Sequence, residues 1–256
     1  GFVPAEIVEQ IDAFDLDDSE LKVALRAYQE FGAKYALVQQ RTILGDEMGL
    51  GKTVQAIAAL AHLHAHGSTH FLVICPATVL VNWVHELARH SVLVAHRLHG
   101  DDREAVLERW RVDGGVAVTT FETLRALELP YDAELAMLVV DEAHYVKNAD
   151  TLRSRAVRSA VERSERVLFL SGTPMENRVE EFRTLVSYLR PDVARTLDRS
   201  IGVAGADAFR REVAPVYLRR NQDDVLGELP ERIDTEDWVE LTADDLVAYR
   251  AAVADG

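Results

Sequence analysis

The chain has 256 residues, 48% of them apolar, and a single cysteine, Cys75, which excludes an internal disulfide framework and suits a reducing compartment. No apolar run approaches the roughly 20 residues that a membrane span needs, and the start Gly1-Phe2-Val3-Pro4 lacks the basic-then-apolar order of a secretory signal. The net charge of −15 argues against a nucleic-acid partner only until its distribution is read, because residues 1–20 hold seven acids and no Lys or Arg, residues 223–256 hold eleven acids and two arginines, and residues 21–222 balance 26 bases against 25 acids.

From residue 38 onward, short apolar strands alternate with amphipathic helices. Strands are predicted at 42–44, 70–75, 91–98, 116–119, 135–140 and 166–170, and helices at 53–66, 79–89, 103–111, 121–127 and 151–163. This order predicts an α/β fold with a mostly parallel sheet, helices on both faces, and ligands at the carboxyl ends of the strands. Cys75 ends a predicted strand and reads as a small core residue. Within the second half, residues 151–220 carry fourteen arginines against nine acids, a balance that suits contact with phosphates. Beyond residue 190 the alternation gives way to a mostly helical stretch punctuated by Pro191, Gly202, Gly205 and Pro215.

The first predicted strand runs into Asp46-Glu47-Met48-Gly49-Leu50-Gly51-Lys52-Thr53, a phosphate-binding loop followed by a helix. Closely spaced glycines let successive N–H groups point at a polyphosphate, and the helix N-terminus adds partial positive charge. Lys52 is expected to reach the β- and γ-phosphates of that polyphosphate, and the Thr53 hydroxyl to bind Mg²⁺. The general loop pattern has glycine where this chain has Asp46. The predicted strand 135–140 ends in Asp141-Glu142-Ala143-His144, which puts Asp141 toward the metal and Glu142 beside the attacking water. After the strand 166–170, Ser171-Gly172-Thr173-Pro174 forms a sharp turn with free hydroxyls able to sense the γ-phosphate side. The histidines His62, His64, His66 and His70 read as a polar helix end, since no cysteine or carboxylate completes a tetrahedral metal set.

Together these runs resemble the first RecA-like lobe of a Swi/Snf-type ATPase within helicase superfamily two, over nearly all of residues 21–250. Leu25-Arg26-Ala27-Tyr28-Gln29 resembles the family's adenine-recognising element, which gives Gln29 the adenine edge. Gly45 to Thr53 is close to the family's own phosphate loop, which carries Asp at the position of Asp46. Cys75-Pro76-Ala77 with Thr78, followed by Asn82-Trp83, is similar to a motif that touches the backbone of the tracked DNA strand, and Thr119-Thr120-Phe121-Glu122-Thr123-Leu124 is similar to a second. Leu170-Ser171-Gly172-Thr173-Pro174-Met175-Glu176-Asn177 resembles the motif that couples hydrolysis to movement, with His144 expected to hydrogen-bond across to it. Leu218-Arg219-Arg220 and Leu229-Pro230 resemble the passage toward a second lobe. Tyr35, where the family often has Trp, and Asn221-Gln222, where it usually has Thr-Lys, depart from the pattern, and neither is expected to touch the nucleotide.

The resemblance implies a P-loop RecA-like domain with a mostly helical C-terminal extension, divided into an acidic N-terminal segment 1–20, an ATP-binding lobe 21–220 and an acidic connector 221–256 toward a second lobe absent from this chain. It further implies ATP and Mg²⁺ as ligands and sequence-tolerant contact with double-stranded DNA. No membrane association is expected. The expected location is nucleoid-associated cytoplasm in a bacterium or the nucleus in a eukaryote. The alternatives are a lobe of another superfamily-two helicase or RNA-dependent ATPase, or a non-catalytic nucleotide-binding module.

Overall fold

A computed structural model describes residues 3–127, 134–173, 179–200 and 206–228. Its centre is a seven-stranded sheet built from β1 (Arg41–Leu44), β2 (His70–Cys75), β3 (Ala95–Arg97), β4 (Gly115–Thr120), β5 (Leu135–Val140), β6 (Ser164–Leu170) and β7 (Tyr217–Leu218). The spatial order is β3-β4-β2-β5-β6-β1-β7, and every pairing is parallel. The helices are α1 (Ala5–Asp12), α2 (Ala27–Gln39), α3 (Lys52–Ala65), α4 (Ala77–His90), α5 (Arg103–Asp113), α6 (Phe121–Ala126), α7 (Leu152–Glu162), α8 (Val179–Leu189), α9 (Pro191–Ser200) and α10 (Ala206–Val213). Among the described residues no helix is long and apolar enough to cross a membrane.

The central strands β2 and β5 are apolar over nearly their whole length, which suits a sheet covered on both faces. Side chains alternate across a strand, so β2, β5 and β6 feed two cores. Leu72, Ile74, Leu138, Val140 and Phe169 enter the core shared with α7 and α8. Phe71, Val73, Cys75, Met137, Val139 and Leu168 enter the core shared with α2, α3 and α4. Ala56, Ala58, Ala59 and Ala61 are fully buried in α3, so small side chains let this helix lie close on its neighbours. Cys75 is the core residue that was expected: burial pushes its thiol up to about 12. Tyr35 is also fully buried, its hydroxyl donating to Ala214 O at 2.7 Å.

Three features depart from the sequence reading. The strand predicted at 91–98 contracts to Ala95–Arg97. Ser91 forms an isolated antiparallel bridge with Leu21, Val92 N–H donates to Glu20 O, and the Val92 and Val94 side chains are exposed. The acidic N-terminal segment, from residue 3 onward, is packed against the lobe: α1 buries Ile11 completely, and Ile7, Phe14 and Leu16 pack on the same core. Finally, β7 is a two-residue edge strand on β1 that no sequence signal announced; it pairs Tyr217 and Leu218 with Ile43 and Leu44.

Candidate active site

The functional motifs leave the sheet at one edge. The phosphate loop follows β1, the turn at Ser171 follows β6 and Asp141 follows β5, and these three strands are neighbours in the order β5-β6-β1. Residues about 30 to 125 positions apart in sequence thereby reach one place, the strand-end position where open α/β sheets bind ligands.

Gly51 is the N-cap of α3 in the left-handed region, φ +77°, and Gly49 has φ +88°. A side chain at Gly51 would be strained by that φ, and its Cβ would lie 2.5 Å from Gln29 Nε2. The first N–H groups of α3 have no partner inside the helix and face the loop. Lys52 Nζ donates to the carbonyls of Asp46, at 2.7 Å, and Glu47, at 3.3 Å, which folds the loop around its ammonium. Burial lowers the Lys52 pKa, and the charges of Asp46, Glu142 and Asp141 oppose that shift. Asp141 and Glu142 are thus near enough to Lys52 to act on its charge, which relates the end of β5 to the loop. Leu50 is fully buried against Tyr28 and Val225, while Met48 is exposed. Thr53 is half-buried in the first turn of α3.

The expected role of Asp46 at the nucleotide is corrected for its side chain. The Asp46 carboxylate is fully buried, and its partners belong to Arg220 and Gln55. It accepts from Arg220 Nη2 at 2.5 Å, Arg220 Nε at 3.1 Å, Arg220 N at 3.0 Å and Gln55 Nε2 at 3.1 Å. Arg220 also donates to Gln55 Oε1 at 2.9 Å and to the Tyr28 carbonyl, with its guanidinium over the Tyr28 and Phe31 rings. Gly32 makes room for this cluster, since a Cβ there would meet Gln55 Oε1 at 1.8 Å. The segment after Arg220 continues onto the loop: Gln222 N–H donates to Glu47 Oε2 at 2.8 Å and Gln222 Nε2 to Met48 O at 3.3 Å. In the sequence Asp46 is a departure from glycine and Arg220 belongs to the passage toward a second lobe; nothing local pairs the two across 174 residues.

Gln29 stands beside the loop, its Nε2 at 3.5 Å from Leu50 O, while its Oε1 accepts from Arg26 N–H and caps α2. Asp141 extends β5 by one bond, its N–H donating to Ile74 O at 2.8 Å. Its Oδ1 accepts from Glu142 N–H at 2.9 Å and its Oδ2 from Trp83 Nε1 at 2.8 Å. Glu142 adopts φ +51°, one of two non-glycine residues with positive φ among those described. Such backbone strain persists where surrounding structure enforces it and clusters at functional sites. His144 does not bond to the Ser171 turn as expected. Its Nδ1 lies 3.2 Å from Glu142 Oε2, within ion-pair range once protonated but without hydrogen-bond alignment.

The Ser171 turn touches the loop directly: a Cβ on Gly172 would lie 3.1 Å from Met48 Cγ and 3.5 Å from Lys52 Nζ. Ser171 N–H donates to Leu44 O at 3.1 Å, and Ser171 Oγ accepts from Thr173 N–H at 3.3 Å. Pro174, Met175, Glu176 and Asn177 lie outside the described residues, as do Leu229 and Pro230.

The candidate DNA-contact residues divide into two groups. Ala77, Thr78 and Asn82 are exposed on the first half of α4, with Pro76 half-buried as its N-cap. Thr119 and Thr120 are both fully buried, which corrects the expectation that their hydroxyls meet a strand. Thr119 Oγ1 donates to Leu98 O at 2.8 Å, and Thr120 Oγ1 caps α6 by accepting from Thr123 N–H at 3.1 Å. Strand-end threonines look alike in sequence whether they face solvent or complete the fold. A cavity of about 1070 Å³ lies at the opposite ends of the strands, between Thr69, Arg111, Leu135 and Glu165, away from every motif above.

A family model described as "SNF2-related domain" matches residues 28–255. The chain is similar to the TATA-binding protein-associated factor BTAF1 of Arabidopsis thaliana, 30% identical over 96% of this chain and 14% of that protein. It is similar to the chromodomain-helicase-DNA-binding protein 1-like of Mus musculus, 32% identical over 90% of this chain and 28% of that protein. The chain therefore spans less than a third of the length of these curated relatives. Among solved structures it resembles the Sulfolobus solfataricus SWI2/SNF2 ATPase core in complex with double-stranded DNA, with TM-score 0.74 and 28% identity over 94% of this chain and 55% of that one.

Proposed function

This chain belongs to the SNF2-related domain family, and on that premise we propose that it is the ATP-binding lobe of a motor that couples ATP hydrolysis to translocation on double-stranded DNA. The observation that carries the reading is convergence: the phosphate loop, Asp141-Glu142 and the Ser171 turn meet at the ends of three neighbouring strands, with Gly172 against Lys52. The loop N–H groups and Lys52 hold the β/γ-phosphates, Gln29 reads the adenine edge, and Glu142 takes the proton of the attacking water. The Ser171 turn is close enough to Lys52 to register whether a γ-phosphate is present.

The residues present suit Mg²⁺. Among the described residues no cluster of three or more His, Cys, Asp or Glu side chains forms an all-protein metal cage. Mg²⁺ characteristically takes one or two protein oxygens and completes its shell with phosphates and water, which fits the Asp141 carboxylate and the Thr53 hydroxyl. Bound there, the ion would neutralise phosphate charge and hold its oxygens in place.

DNA contact runs through Pro76, Ala77, Thr78 and Asn82, which offer α4 N-terminal N–H groups and an exposed amide to phosphates without reading bases. Domains divide at residue 220: the lobe ends with Arg220 and the acidic connector follows toward a second RecA-like lobe. The test has two parts. Lys52→Ala, measured by calorimetry with ATP, should lose about 1.5–3 kcal/mol of binding, the worth of a charged hydrogen bond; unchanged affinity refutes the phosphate loop. In the protein carrying both lobes, duplex DNA should stimulate hydrolysis in a salt-sensitive way, whereas stronger stimulation by RNA would favour the RNA-dependent alternative.

A further inference from the structure

We propose that Trp83 is the positioning residue that orients Asp141 toward the metal. Trp83 is 1% exposed and sits in the core beneath the sheet, yet its one polar atom points out of that core. Nε1 donates to Asp141 Oδ2 at 2.8 Å, across 58 residues of sequence. A buried indole N–H needs an acceptor; here that acceptor is a carboxylate at the site.

The consequence is geometric. Asp141 Oδ2 receives the indole of α4 and Oδ1 receives Glu142 N–H at 2.9 Å, so donors on two different elements stop the carboxylate from rotating. Each oxygen keeps a second lone pair, now aimed in a set direction. Mg²⁺ demands near-ideal octahedral geometry, so a preset carboxylate binds it without first losing rotational freedom. Groups that hydrogen-bond metal ligands in this way are worth roughly 10- to 100-fold in metal affinity. Trp83 lies one residue after Asn82, which joins the metal-facing carboxylate to the helix proposed to meet the DNA strand.

The inference rests on the reading of Asp141 as metal-facing, and the experiment separates the two. ADP affinity is measured for the wild-type chain and for Trp83→Phe, once with Mg²⁺ and once with EDTA. The wild type should bind ADP more tightly with Mg²⁺. Trp83→Phe should keep its EDTA affinity while its affinity for Mg²⁺ in the complex falls on the order of tenfold. A Mg²⁺ gain equal to wild type, or an equal loss in both conditions, overturns the positioning role. A wild type indifferent to Mg²⁺ overturns the metal reading itself. Should Trp83→Phe fail to fold, nuclear magnetic resonance of the wild-type indole N–H groups decides. The Trp83 signal should shift on Asp141→Asn, and again when Mg²⁺ is added to the ADP-bound chain. A signal indifferent to both changes overturns the proposal.

Discussion

Arg220 reaches back across 174 residues to close its guanidinium on Asp46, at 2.5 Å from Oδ2, and so ties the base of the phosphate loop to the segment that follows β7. Burying such a pair costs several kcal/mol in lost hydration, which is offset only if donors and acceptors are matched. They are matched here by Gln55, Tyr28 O and the Arg220 N–H. Removing one partner leaves the other charged and buried. Arg220→Met should therefore lower the unfolding free energy by about 3–5 kcal/mol in chemical denaturation. A loss below about 1 kcal/mol would show that the pair is dispensable.

Glu142→Gln should preserve ATP affinity and cut turnover by about 10²–10⁴-fold in the protein carrying both lobes, because an amide positions water but accepts no proton. Calorimetry and steady-state hydrolysis distinguish the two effects. Normal turnover would remove Glu142 from the role of base.

The 256-residue chain alone should bind ATP yet hydrolyse it slowly, with or without duplex DNA. Charge that develops during phosphoryl transfer needs donors aimed at it, and the family resemblance assigns these to arginines of a second lobe, worth on the order of 10³–10⁵ in rate. Two of the arginines in residues 151–220 are already committed within the lobe. Arg153 is paired with Glu122, and Arg220 is committed to Asp46. Turnover matching the two-lobed protein would mean that a finger lies within this chain.

The acidic N-terminal segment should loosen as pH falls. His62 Nδ1 accepts from Asp17 N–H at 3.0 Å, a bond available only to the neutral ring. Burial, and next the charge of His66, hold its pKa below the usual 6.5; Asp17 and Asp15 oppose this, and Arg166 adds to it. The unfolded histidine thus binds a proton first, so this stability is intact above about 6.5 and is lost as pH falls from there toward the folded value. Hydrogen exchange at the Asp17 amide should accelerate on acidification through that window. An identical acceleration in His62→Gln would assign the effect to other groups.

What the sequence determined by itself is local. Closely spaced glycines before Lys52, the apolar run ending in Asp141 and the alternation of strands with helices each specify geometry within a few residues, and each stands where it was read. The apolar positions Ile7, Ile11 and Phe14 were also present, but the acids between them hid a segment that packs on the core. The tertiary structure alone decided which distant residues meet. Because β6 inserts between β5 and β1, neither the closeness of Gly172 to Lys52 nor the nearness of Asp141 to Lys52 follows from chain order. The same holds for Arg220 on Asp46, for Trp83 on Asp141 and for the burial of Thr119 and Thr120. A side chain's neighbours across the sheet depend on strand order and on which face each residue enters. Those are properties of the whole packed chain, and no short stretch of it encodes them.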